Sequence, residues 1–141
     1  MVQSFENLTL KQVKKLAADL STQLNNSRAK IGLVGSLGSG KTTFAKQFAH
    51  RLGRIRLKSP TFTVIDTHKF GKKILHHIDL YRLRHYSELR AIGFEELLQP
   101  NTVILIEWAD KFRQVAKQCG LLIEFKFTPQ HNRRDVKITF K

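Results

Sequence analysis

A single cysteine, Cys119, in 141 residues excludes an internal disulfide. A reducing, cytoplasmic setting is expected from that usage, with Cys119 packed as a small hydrophobe at a helix end. No apolar run approaches the roughly 20 residues that a membrane-spanning helix needs, so no membrane contact of that kind is expected. The opening residues Met1-Val2-Gln3-Ser4-Phe5-Glu6 have neither the basic flank nor the apolar stretch of a signal peptide. Internal repeats and low-complexity segments are also missing. Acidic residues are scarce, with 11 Asp and Glu against 25 Lys and Arg, for a net charge of +14. Such an excess suits a polyanionic partner: a nucleotide, an RNA or an acidic protein surface. The basic residues cluster at Lys69, Lys72 and Lys73, at Arg54, Arg56 and Lys58, and at Arg133 and Arg134.

What is present is an ordinary globular composition, 41% hydrophobic and 26% charged, of a length that suits one domain over residues 1–141. Thr9 and Gln12 make a capping-box pattern ahead of Val13, Leu16, Ala17, Leu20 and Leu24 at helical spacing. A short strand over residues 4–6 is expected before this helix. Residues 31–34 read as an apolar strand, and residues 41–52 as a helix that Gly53 stops. Residues 61–68 and 74–80 read as a hairpin turning at Phe70-Gly71-Lys72-Lys73. Short helices are expected at residues 87–91 and 95–98, broken at Gly93. The continuous apolar run at residues 102–106 reads as a strand buried on both faces. A helix over residues 111–118 and a last hairpin of residues 121–127 and 136–140 complete the order. Strands alternating with helices predict an α/β fold, a three-layer sandwich with a mixed, mostly parallel central sheet flanked by helices.

The chemistry begins at Gly35-Ser36-Leu37-Gly38-Ser39-Gly40-Lys41-Thr42, which matches the G-x-x-x-x-G-K-[ST] phosphate-binding loop in full. Glycines let the backbone curl with several N–H groups turned inward. The helix beginning at Lys41 adds the positive end of its dipole. Lys41 supplies a charge to the β- and γ-phosphates, and Thr42 a hydroxyl to Mg²⁺. Ser36, Leu37, Gly38, Ser39, Gly40 and Thr43 complete the nucleotide-binding stretch. The metal shell also needs a carboxylate at the C-terminal end of a buried strand. Glu107 and Asp79 both stand there, and Glu107 is favoured because its strand is the more uniformly apolar. Asp79 then becomes a second metal-shell or water-orienting group. His77 shares a strand face with Asp79, whereas His76 points to the other face, so the pair cannot easily grip one ion. Ser59-Pro60-Thr61-Phe62 occupies the interval where many P-loop proteins carry a switch that senses the γ-phosphate. Trp108 stands either over the ligand or in the core. No Asn-Lys-x-Asp guanine element occurs, which leaves adenine as the default base.

Taken together these pieces resemble the TsaE (YjeE) family, the P-loop ATPases of bacterial tRNA threonylcarbamoyladenosine biosynthesis. The resemblance rests on the phosphate loop with Thr43-Phe44, Ser59-Pro60-Thr61-Phe62, His77-Ile78-Asp79-Leu80-Tyr81-Arg82-Leu83, Glu88-Leu89 with Gly93, and Ile106-Glu107-Trp108. It spans residues 8–108. It implies ATP and Mg²⁺ as cofactors, TsaB and TsaD as partners, and hydrolysis that resets their complex between rounds of tRNA modification. It also implies roles: Lys41 and Thr42 on phosphate and Mg²⁺, Glu107 as the Walker-B acid, Asp79 as an essential acid, Thr61 as the switch threonine and Trp108 near the nucleotide. Ser36 stands where the family usually has an acid, Ser39 where it has alanine, and Ala109 where proline is common. The high positive charge suits contact with tRNA or with an acidic partner face. Two other readings of the same residues are a small-molecule P-loop kinase and a nucleotide-gated RNA- or protein-binding module.

Overall fold

Thr9 starts the first helix by a reciprocal bond. In a computed structural model, which describes residues 1–25, 27–58 and 64–141, its hydroxyl accepts from Gln12 N–H at 3.2 Å while the Gln12 side chain accepts from Thr9 N–H at 2.8 Å. The helix, α1 (Leu10–Leu24), follows an edge strand β1 (Val2–Leu8), longer than the three residues its sequence suggests. Then come β2 (Ala29–Val34), α2 (Lys41–Gly53), β3 (Ile65–Phe70) and β4 (Lys73–Asp79). After these come α3 (Tyr86–Ala91), a 3₁₀ turn at Phe94–Glu96, β5 (Thr102–Glu107), a 3₁₀ turn at Ala109–Lys111, α4 (Arg113–Gln118), β6 (Leu121–Phe127) and β7 (Arg134–Phe140). The expected helix over residues 111–118 is split because Phe112 is extended, at φ −122° and ψ 125°. Residues 61–63 of the expected third strand lie outside the described residues. Among the described residues no helix is long and apolar enough to cross a membrane.

The seven strands form one sheet in the order β1-β7-β6-β2-β5-β4-β3. The central neighbours β6-β2, β2-β5 and β5-β4 are parallel, and the outer pairs are antiparallel. β5 is buried at every position, as its unbroken apolar run requires. Because side chains alternate, Val103 and Leu105 join the core under α1 and α2, while Ile104 and Ile106 join the core under α3 and α4. The first core is anchored by Phe44 and Phe48 of α2, and Phe44 meets Phe125 edge-on with ring centroids 5.5 Å apart. Cys119 sits in the second core, where burial pushes its thiol up to about 11.

The stop of α2 differs from the sequence expectation. Gly53 is the last helical residue, and Arg54 takes the left-handed conformation at φ 55°. Gly53 is glycine for space: a Cβ there would come within 2.7 Å of the Phe70 ring and 2.9 Å of Phe70 Cβ. An ordinary helical Gly→Ala change stabilises by about 1 kcal/mol. Here Gly53→Ala is predicted to destabilise by about 1–3 kcal/mol through overpacking. In a Phe70→Ala background, which removes the ring but keeps Cβ, the penalty of the same change is predicted to shrink. Urea unfolding of the four variants measures the coupling.

Candidate functional site

β2 ends at Val34 and delivers the chain to the glycine-rich turn. Gly40 takes φ 115° as it enters α2, a conformation that a side chain disfavours. At Gly35 a Cβ would lie 2.5 Å from Ser39 Oγ and 2.8 Å from the Phe125 carbonyl. Ser39 is fully buried, and its hydroxyl finds no hydrogen-bond partner among the described residues. Its side chain therefore faces inward, and its offering to a ligand is backbone. Leu37 is exposed at the crest of the loop. The Lys41 ammonium donates to the Gly35 carbonyl and, at 2.9 Å, to the Ser36 carbonyl. It also stands 4.0 Å from the Trp108 ring centroid. Burial pulls the Lys41 pKa down, against the opposing charges of Glu107, Asp110 and Asp79.

The acids arrive from the two strands beside β2. Leu75, His77 and Asp79 share the α2 face of β4, and Asp79 lies directly opposite Glu107 in the β4-β5 register. Glu107, 2% exposed, accepts from the Thr42 hydroxyl at 2.7 Å through Oε1 and bonds His77 Nε2 at 2.6 Å through Oε2. Burial pushes its pKa up, but the His77 bond and charge, the Thr42 hydroxyl and Lys41 outweigh burial and hold it below the usual carboxylate range. His77 Nδ1 is left without a partner among the described residues. Asp79 accepts from Tyr81 N–H at 2.9 Å. Burial raises its pKa, helped by the Glu107 charge and opposed by the Tyr81 bond, His77 and Lys41. Trp108 takes φ 60°, which turns its ring back over Lys41 and against Tyr81, centroids 5.0 Å apart.

A cavity of about 230 Å³ opens between the loop and these acids, lined by Lys41, Thr42, Thr43, Asp79, Glu107 and Trp108 among others. The residues present fit a nucleotide with Mg²⁺. A Cβ at Gly38 would meet nothing within 4 Å, so the crest of the loop is open. Thr42 Oγ1 and Glu107 Oε1 converge as a hard oxygen pair. Among the described residues no group of three His, Cys, Asp or Glu is placed to hold an ion alone. Thr61 lies outside the described residues.

Sequence reasoning missed the far side of the loop. A second hollow of about 320 Å³ lies there, lined by Leu10, Val13, Thr43, His131, Asn132 and Arg134 among others. Arg134 Nε donates to the Ser39 carbonyl at 3.1 Å and Nη2 to the Gly38 carbonyl at 3.3 Å, with the guanidinium 4.3 Å from the Phe127 ring centroid. In the sequence Arg134 is only half of a basic pair in a turn; the strand order brings it to the loop.

The raised Asp79 pKa has a consequence for stability. Its folded value exceeds the ordinary one of 3.8, so ionisation opposes folding, and stability falls as pH rises through that window. Asp79→Asn keeps an oxygen for Tyr81 N–H and is predicted to raise the thermal midpoint at pH 7. The advantage shrinks in melts run below the ordinary carboxylate pKa.

Comparisons with known proteins bear on the family and the fold. The family model described as "Threonylcarbamoyl adenosine biosynthesis protein TsaE" matches residues 8–136. The tRNA threonylcarbamoyladenosine biosynthesis protein TsaE of Bacillus subtilis is 38% identical over 113 residues, 79% of this chain and 70% of that protein. The protein of the same name from Aquifex aeolicus is 33% identical over 127 residues, 88% of this chain and 86% of its own. That from Haemophilus influenzae is 30% identical over 115 residues, 80% of this chain and 73% of its own. The crystal structure of Bacillus subtilis YdiB superposes with a TM-score of 0.74 at 27% identity, over 99% of this chain and 86% of that one. The chain belongs to the TsaE family of threonylcarbamoyl adenosine biosynthesis proteins.

Proposed function

We propose that this protein is a Mg²⁺-dependent ATPase that acts in tRNA threonylcarbamoyladenosine modification, hydrolysing ATP to drive or reset a TsaB–TsaD complex. The observation that carries the reading is the bond chain Thr42–Glu107–His77, which ties the phosphate loop to the carboxylate at the end of β5. The cavity lies at the C-terminal ends of the parallel strands, where open α/β sheets bind ligands.

Loop amides and the N-terminus of α2 would receive the phosphates. Lys41 would exchange the Gly35 and Ser36 carbonyls for phosphate oxygens, and Trp108 would keep that ammonium shielded from water. Thr42 and Glu107 would hold Mg²⁺, with Asp79 beside them. Bound Mg²⁺ supplies positive charge that offsets the charge developing on the transferring phosphoryl group. Glu107 has both oxygens engaged, whereas Asp79 is held at Oδ1 by Tyr81 N–H. Asp79 Oδ2 is therefore the better candidate to orient the attacking water and accept its proton. Asp79 N–H also donates to the Val64 carbonyl at 3.1 Å, next to the segment that carries Thr61. By the family resemblance, Thr61 would be the hydroxyl that senses the γ-phosphate. The hollow beneath Arg134 would take the adenine.

Exposed Leu37 and Tyr81 flank the cavity, and exposed Leu10 and Phe127 neighbour its far side. An apolar rim of this kind suits a partner that completes the site, so turnover by the isolated chain is slow. The net charge of +14 suits RNA contact by the same protein.

Lys41→Ala is predicted to weaken ATP binding at least about tenfold, as a lost charge-assisted bond to phosphate implies. Glu107→Gln keeps binding within a few-fold and lowers partner-stimulated turnover by about 10² or more. Titration with fluorescent ATP and phosphate release with TsaB, TsaD and tRNA present read the two effects. Undiminished hydrolysis in either variant contradicts the assignment. Arg134→Ala is predicted to weaken ATP affinity about tenfold, by loosening the carbonyls at Gly38 and Ser39, while turnover at saturating ATP holds.

A further inference from the structure

The positive charge of this chain is not spread evenly. Residues 20–78 hold eleven Lys and Arg against one acid, Asp66. The fold gathers part of this segment at the end of the sheet opposite the phosphate loop. There a groove of about 750 Å³ runs between the ends of α1 and α2, the β3-β4 turn and the residue before β5. Arg51 lines it from α2 and Arg54 from the residue after it, Lys72 from the turn and Lys73 from the start of β4, and Asn25 and Asn101 from the two remaining sides. Among the described residues no acidic one lines it. Arg51, Arg54 and Lys72 are exposed. Lys73 donates to the Asn25 carbonyl and braces the wall against α1. Phe70, half-buried against Gly53, forms the floor.

We infer that this groove is a docking surface for an RNA phosphodiester backbone. The inference rests on the RNA contact proposed above and gives it a location; it does not depend on ATP hydrolysis. The lining is what phosphate contacts use: Arg, Lys, Asn and backbone around a polar channel. A protein partner docks by buried aromatic or aliphatic anchors at a core depleted of Lys. Among the described residues that line the groove, the large apolar ones are Leu52, which is buried in the core, and Phe70, which packs on Gly53. The groove also sits at the C-terminal end of α2, whose N-terminus enters the phosphate loop. Thirteen residues of helix place the two about 20 Å apart. RNA and nucleotide thus occupy opposite ends of one rigid element and do not compete for space.

The test uses the full chain and an unmodified tRNA transcript, with binding followed by fluorescence anisotropy across a salt series. The variant Arg51→Glu/Lys72→Glu is compared with Lys14→Glu/Lys117→Glu, which makes the same charge change on exposed helix surface elsewhere. The groove variant is expected to bind at least about tenfold more weakly, with the slope of log K against log salt shallower by about 1–2, as loss of up to two phosphate contacts implies. The control is expected to stay within about threefold. Arg51→Gln/Lys72→Gln is expected to show the same direction with a smaller loss, which keeps the test usable if charge reversal disturbs folding. Retained ATP binding and thermal midpoint show that the variants are intact. Equal losses in groove and control variants would overturn the location while leaving RNA contact standing. No tRNA binding by the parent chain would overturn the RNA reading itself. Displacement of tRNA by polyglutamate at equal charge would make the groove a site for an acidic protein.

Discussion

Glu107 is the point on which this structure depends. A carboxylate only 2% exposed at the end of a buried strand is poorly solvated. Removing one partner of such a buried pair costs about 3–5 kcal/mol. The fold places donors on both sides: the Thr42 hydroxyl from the first turn of α2, and His77 Nε2 from the neighbouring strand. This single group therefore joins three elements, α2, β4 and β5. It also stores a polarity that the resting protein satisfies internally and that a bound cation can take over. In the mechanism proposed above, a bound cation would compete with Glu107 for the Thr42 hydroxyl, which would make the loop sensitive to what it holds.

The same logic runs through the rest of the site. Lys41 rests on the carbonyls of its own loop and under Trp108. Arg134 rests on the Gly38 and Ser39 carbonyls from the opposite side. Each cation is bonded to two backbone carbonyls of the loop, so the phosphate binding proposed above would be an exchange of partners. Asp79 carries the opposite bias, because burial disfavours its charge. A group kept at a cost to stability beside a phosphate cradle is the kind that chemistry requires.

Much of this was legible in residue order. The loop from Gly35 to Thr42 has a local pattern because its conformation is set locally, by glycine at φ values such as 115° at Gly40. β5 was legible because a strand buried on both faces must be apolar throughout, and Glu107 stands out as the residue that breaks the run. Thr9 and Gln12 declared their helix for the same local reason. Arg134 was not legible, because its proximity to Ser39 comes from the antiparallel β6-β7 pair beside β2, a contact across 95 residues. Gly53 looked like a helix stop, whereas its lack of a side chain answers to Phe70 on a distant strand. His77 was placed on the correct face by strand alternation, but its bond to Glu107 needed the β4-β5 register.

ATP hydrolysis at this site is proposed to reset a tRNA-modifying complex. The most direct measurement counts threonylcarbamoyladenosine formed per TsaB–TsaD complex over time, with this chain supplied as wild type or as Glu107→Gln. The account predicts repeated rounds with the wild type, and a single round followed by arrest with the variant. Equal multiple-round yields from both proteins would contradict it.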